Sequence, residues 1–150
     1  MPSHDIDQQL KDLFQQHLNQ TRQQVQRLDQ VWSILGIQPQ QVSCDGMKGI
    51  LTEGKKNMQE AQSDTLRDVL MAGGADKVEH YEISSYTGLI LAAKLMGQNQ
   101  IAGLLQQNLD EERWMAQQLS QSAPKLAEKA LQSEGYQASG GTAGQPFATP

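Results

Sequence analysis

The chain has 150 residues, 37% apolar and 19% charged, with a formal charge of −5 and an isoelectric point near 5.1. That is material for one domain and one core. An acidic chain without a basic cluster excludes duplex nucleic acid and anionic membrane surfaces as expected partners. No apolar run reaches the ~20 residues that span a bilayer. The single cysteine, Cys44, excludes an intrachain disulfide framework. The stretch MPSHDIDQQL has neither a basic n-region nor an apolar h-region, so the cytoplasm is the expected compartment.

The elements read as helices. Between Asp5 and Leu35, apolar residues fall at Leu10, Phe14, Leu18, Val25, Leu28, Trp32 and Leu35, in steps of three, four and seven. Ser3 or Asp5 is the expected cap, and Gly36 and Pro39 close the helix. Residues 37–45 read as a loop. A shorter helix is expected over about Gly46–Ala61, weakened by Gly46, Gly49 and Gly54 and therefore dependent on packing. Ser63 caps a third helix running to about Met96. Gly73 and Gly74 inside it mark either a close helix contact or a local break. A fourth helix starts near Asn99, and Ser122-Ala123-Pro124 predicts a fresh cap and a short last helix to about Gln132. From residue 133 the chain turns to Gly, Ser, Ala, Thr and Pro, which reads as a flexible tail. The expected organisation is a helical domain over 1–132 and a tail over 133–150. Gln145-Pro146-Phe147 in the tail is a weak candidate docking peptide.

Some polar residues interrupt the apolar stripes. On a wheel at about 100° per residue, Met71, Val78, Ser85, Leu89 and Met96 share a face of the third helix, and Glu82 falls among them. Leu105, Leu109, Ala116 and Leu119 share a face of the fourth, and Glu112 falls among them. His17 and Thr21 lie beside the stripe of the first helix. Glu53 lies at the edge of the apolar side of the second. Glu79 flanks the core face and His80 points away from it. A buried carboxylate must be paired, protonated or metal-bound. Inward carboxylates and histidines from facing helices are how helical bundles build iron or manganese sites. The alternative is structural: Glu82 pairing with His17 or bonding Tyr81 or Tyr86, and Glu112 pairing with Arg113 of a neighbouring chain. Cys44 reads as a plain buried cysteine.

Four segments, in order, resemble the YciE/YciF family of ferritin-like proteins, on its YciE side. They are Gln16–Leu28 (QHLNQTRQQVQRL), Cys44–Glu53 (CDGMKGILTE), Asp76–Gly97 (DKVEHYEISSYTGLILAAKLMG) and Leu109–Leu119 (LDEERWMAQQL). The similarity runs from about residue 6 to 132. It implies an all-α, ferritin-like helical bundle of bacterial origin, often dimeric and associated with stress. Members are candidate carboxylate-bridged metal binders without a defined activity. Carried over residue by residue, the resemblance implies a metal set of His17, Glu53, Glu82 and Glu112, with Glu111 beside the last.

Two departures stand out. Where the family commonly writes His-Leu-Glu-Glu-Thr, this chain has His17-Leu18-Asn19-Gln20-Thr21, so two carboxylates have become amides. The family's first long helix has no expected counterpart, so the expected bundle is incomplete, three long helices plus short ones, unless the sequence starts at an internal methionine of a longer protein. The resulting groove is expected to be filled by a second copy, in a dimer or larger assembly, or by another protein. The first functional expectation is a stress-associated bundle, leaning away from an enzyme, acting through self-association or protein interaction, with a degenerate carboxylate metal site and no certain cofactor, Fe or Mn being the candidates. The alternative is an Fe- or Mn-binding protein, for storage or oxidoreduction, using His17, Glu53, Glu82 and Glu112.

Overall fold

The computed structural model describes residues 4–136. Four helices follow one another: α1 Gln8–Leu35, α2 Asp45–Glu60, α3 Asp64–Leu95 and α4 Asn99–Ser133. No strand occurs among the described residues, so the chain is all-α as expected, and none of the described helices is long and apolar enough to cross a membrane. The expected tail from 137 onward lies outside the described residues.

Each helix end has a local cause. The Asp7 carboxylate accepts the Leu10 N–H (3.1 Å), so the cap sits two residues beyond the expected Asp5. Gly36 adopts φ 68°, the left-handed conformation that ends a helix most easily with glycine. Ser63 Oγ accepts the Leu66 N–H (3.2 Å) and starts α3, as expected. Cys44 is not buried: it is exposed at the start of α2, where Sγ accepts the Met47 N–H and contacts the Tyr81 hydroxyl (3.1 Å). Gly46 lies under that same tyrosine, and a Cβ there would come within 2.7 Å of the ring.

Two expectations about helix continuity resolve differently. α3 runs unbroken through Gly73 and Gly74, and Gly74 meets α2 at Gly54: a Cβ on Gly74 would lie 3.9 Å from the Gly54 Cα. The expected break near Ser122 does not occur, and α4 continues through Pro124. The Ser122 hydroxyl donates back to the Gln118 carbonyl (2.9 Å) rather than capping a new helix. The proline removes one backbone donor on an exposed face, a loss water can cover.

α3 and α4 form the main pair; α1 lies against α4 and α2 against α3. The cross-bonds Asp7–Asp68, His17–Glu79 and Gln24–Tyr86 ascend together, so α1 runs parallel to α3. Lys129–Asp7 and Asn108–Gln24 descend, so α4 runs antiparallel to α1. A seven-residue spacing returns a side chain to nearly the same helix face. The inner rows are therefore Leu10, His17, Gln24 and Val31 on α1, and Ala72, Glu79, Tyr86 and Ala93 on α3. On α4 the row is Leu105, Glu112, Leu119 and Leu126.

These rows divide the core in two. One apolar cluster holds Ile90, Ala93, Ile101, Ala102, Leu105 and Leu109. The other holds Leu10, Ala72, Met115, Leu119 and Leu126. Each buried leucine contributes about 1.5–3 kcal/mol relative to exposure. Between the clusters each row turns polar, and that layer carries the candidate site.

The apolar rows expected on α1 and α3 are only partly covered. Leu18 (43%) and Val25 (53%) on α1 remain exposed, as do Leu89 on α3 and Met96 at its C-cap. The inner face of α3 lies about one residue round from the row Met71, Val78, Ser85, Leu89 and Met96. Apart from Ile90, its inner row is alanine, glutamate and tyrosine, which hydropathy does not single out.

Candidate metal centre

Three helices bring one side chain each to the polar layer. His17 Nε2 lies 2.9 Å from Glu79 Oε1 and 3.8 Å from Glu112 Oε2. One ligand atom from each of the three lies within 4.8 Å of the others. Glu79 is 2% exposed and Glu112 is fully buried. His17 Nδ1 is 3.3 Å from Gln20 Oε1, one turn along α1. An Nδ1–H donated to that oxygen leaves Nε2 aimed at the two carboxylates.

The electrostatics of this layer are unresolved by protein groups. Glu79 Oε2 and both oxygens of Glu112 are buried without a hydrogen-bond partner. Burial pushes Glu112 up to about 7 from 4.5, with the neighbouring Glu79 acting in the same direction. Burial also pushes Glu82 up to about 7, reinforced by the charge of Glu112. Burial alone would lower His17, but its bond to Glu79 and the charges of Glu79 and Glu112 outweigh that and raise it to about 9. Three acids thus surround one imidazole. One positive charge cannot balance them, and the excess calls for a cation or for protons.

The sequence-derived residues separate on inspection. His17 and Glu112 come together. Glu82, half-buried, stands beside Glu112 closely enough to share its electrostatics. Glu53 does not join them: it is exposed on α2 and pairs with exposed Lys77 (3.3 Å). Glu111 turns instead to Arg27, which forks onto both of its oxygens. Glu79, read as flanking, completes the group. The signal that could have found it is the seven-residue row Ala72, Glu79, Tyr86 and Ala93. His80 is exposed, as expected, and its Nδ1 lies 2.9 Å from the Asp76 carbonyl.

The residues present fit a metal. Imidazole nitrogen and carboxylate oxygens suit Fe, Mn or Zn, and the orphaned buried oxygens are the atoms a cation would satisfy.

Comparison with known proteins follows this geometry. A family model described as a domain of unknown function, DUF892, matches residues 3–132. The chain is 34% identical over 107 residues to the protein YciF of Escherichia coli (strain K12), covering 71% of this chain and 64% of that protein. The chain therefore spans less than two thirds of that relative's length. Among solved structures, the E. coli stress protein YciF superposes with a TM-score of 0.77 at 31% identity, covering 82% of this chain and 78% of that one. YcfI from Rhodopseudomonas palustris gives 0.76 at 33% identity, covering 78% and 74%.

Proposed function

Because the chain belongs to the YciE/YciF family, DUF892, and gathers a histidine and two glutamates in its core, we propose that it binds a divalent metal ion there. The reading is a stress-associated helical bundle that holds Fe or Mn through His17, Glu79 and Glu112, with Glu82 as an adjacent fourth acid. The observation that carries it is the set of buried carboxylate oxygens without partners. A structural ion pair would leave fewer of them unsatisfied, because such groups are costly to bury.

Each residue has a separate task. Glu79 and Glu112 supply charge, and His17 supplies a neutral nitrogen once its Nε2 proton has left. Gln20 retains the Nδ1 proton. Apolar clusters pack on either side of the layer. Fe or Mn held there would supply one-electron chemistry.

The test is metal content per chain after anaerobic loading with Fe(II) or Mn(II), with His17→Ala, Glu79→Gln and Glu112→Gln alongside. The reading expects stoichiometric metal in the parent protein and its loss in all three variants. A parent protein that stays metal-free after loading contradicts it.

A second reading concerns assembly. Leu18 and Val25, seven residues apart on α1, and Leu89 on α3 with Met96 at its C-cap form two exposed apolar rows. Such rows favour burial against another surface, and a second copy is the occupant proposed. Sedimentation should then show a dimer or larger species, dispersed by Val25→Glu. A monomer at high concentration contradicts this second reading alone.

A further inference from the structure

One heptad along from the His17 layer lies another polar layer: Gln24 on α1, Tyr86 on α3, and Asn108 four residues before Glu112 on α4. Gln24 is 3% exposed and Asn108 is fully buried. Their hydrogen bonds form a chain. Arg27 Nη1 donates to Asn108 Oδ1 (3.0 Å), and Asn108 Nδ2 donates to the Tyr86 hydroxyl (3.2 Å). The Tyr86 hydroxyl donates to Gln24 Oε1 (3.3 Å). Asn108 Nδ2 also reaches the Gln24 backbone carbonyl (3.4 Å).

The direction of this chain is dictated by its outer end. Arginine has only donors. Arg27 therefore fixes the Asn108 amide with its oxygen outward and its nitrogen inward. That nitrogen occupies the tyrosine oxygen as an acceptor, so the tyrosine proton points to Gln24. The Gln24 oxygen is thereby taken, and the amide nitrogen must face the other way. Gln24 Nε2 is a buried donor without a partner. In the next layer, both oxygens of the buried Glu112 carboxylate are acceptors that also lack partners. At the surface, Arg27 is anchored by Glu111.

We propose that Arg27, Asn108, Tyr86 and Gln24 form a polarised relay that presents an N–H donor to Glu112, which makes Gln24 a positioning residue for that ligand. The relay rests on the metal reading above. Its consequence is that Glu112 keeps one orientation in the polar layer, ready for a divalent cation. Gln24 touches no metal; it acts through Glu112.

Co(II) is the probe, because its d–d absorption reports ligand geometry as well as occupancy. Titrations would compare the parent protein with Gln24→Leu, Tyr86→Phe and Glu112→Gln. Gln24→Leu should weaken Co(II) binding about 10–100-fold and shift the d–d bands, the range that outer-layer partners of metal ligands command. Tyr86→Phe removes only the oxygen that orients Gln24, so it should weaken binding less, by about 3–10-fold, and it covers the case in which Gln24→Leu does not fold. In the metal-free protein, the Gln24 side-chain amide resonances should move on Glu112→Gln and on Tyr86→Phe.

Gln24→Leu with parental affinity and spectrum, or Gln24 resonances indifferent to Glu112→Gln, would overturn the relay and leave the metal reading standing. A parent protein that binds no Co(II) would remove the metal reading and this inference with it.

Discussion

Two histidine–carboxylate pairs join the N-terminal side of the chain to α3, both at 2.9 Å: His4–Asp68 and His17–Glu79. By distance they are the same interaction, yet their surroundings differ. Asp68 uses both oxygens, one on His4 and one on the Asp7 N–H (3.1 Å). Asp7 in turn caps α1 and pairs with Lys129 (2.6 Å). That cluster is a finished clasp between α1, α3 and α4. In the His17 cluster, Glu79 leaves one oxygen unpartnered and Glu112 leaves two. The lesson is that an ion pair seen in isolation does not separate structure from function. The hydrogen-bond inventory of both oxygens does.

The comparison breaks most visibly on substitution. Glu112→Gln should lower Mn(II) or Fe(II) affinity by more than about 100-fold, while Asp68→Asn leaves it unchanged. Competition titration against a metal-sensitive dye measures both. Substitutions at the same two positions should act in opposite directions on the metal-free fold. Asp68→Ala strands the donors of His4 and Asp7 and should cost about 2 kcal/mol. Glu112→Gln relieves a buried, unpaired charge and should stabilise by about 1–3 kcal/mol at pH 8. Urea unfolding without metal resolves the two signs.

The pH dependence of the metal-free protein sharpens the contrast. Glu82 and Glu112 are raised from 4.5 to about 7, so the folded state binds more protons than the unfolded chain between those values. Stability is therefore lost as pH rises from about 4.5 to 7. His17, raised from 6.5 to about 9, continues the loss over that higher window. Asp7 has the opposite sign. Its bond to Lys129 holds it below 3.8, so its contribution is present above that value and is lost on acidification. Metal binding displaces protons, so the rise in melting temperature on adding Mn(II) should be larger at pH 8 than at pH 6. The smallest effect is a control outside both clusters. Gly73→Ala adds a Cβ that meets nothing within 4 Å and should stabilise by about 0.5–1 kcal/mol without moving metal affinity.

The helical class, the three long helices and the inward face of α4 were legible in the sequence, because α4 spaces Leu105, Leu109, Glu112, Ala116 and Leu119 on one apolar stripe. Glu112 stood out as the acid on that stripe, and His17 stood beside the stripe of α1. The inner row of α3 was obscured for a physical reason. Apart from the buried Ile90, its inner row is Ala72, Glu79, Tyr86 and Ala93, small or polar, while its more hydrophobic row remains partly exposed. A hydropathy wheel follows the greasier row, so it centred on Glu82 and read Glu79 as flanking. Glu53 was implied by resemblance to a family, and only the packing of α2 reveals that it faces Lys77. The unbroken course of α4 was hidden because Ser-Ala-Pro is also what a helix start looks like.

The most direct measurement is anomalous diffraction at the manganese edge from crystals grown with Mn(II). The account predicts one strong peak per chain, within about 2.0–2.4 Å of His17 Nε2 and an oxygen each of Glu79 and Glu112. It is contradicted if His17 keeps its 2.9 Å contact with Glu79 and no peak lies between the three side chains.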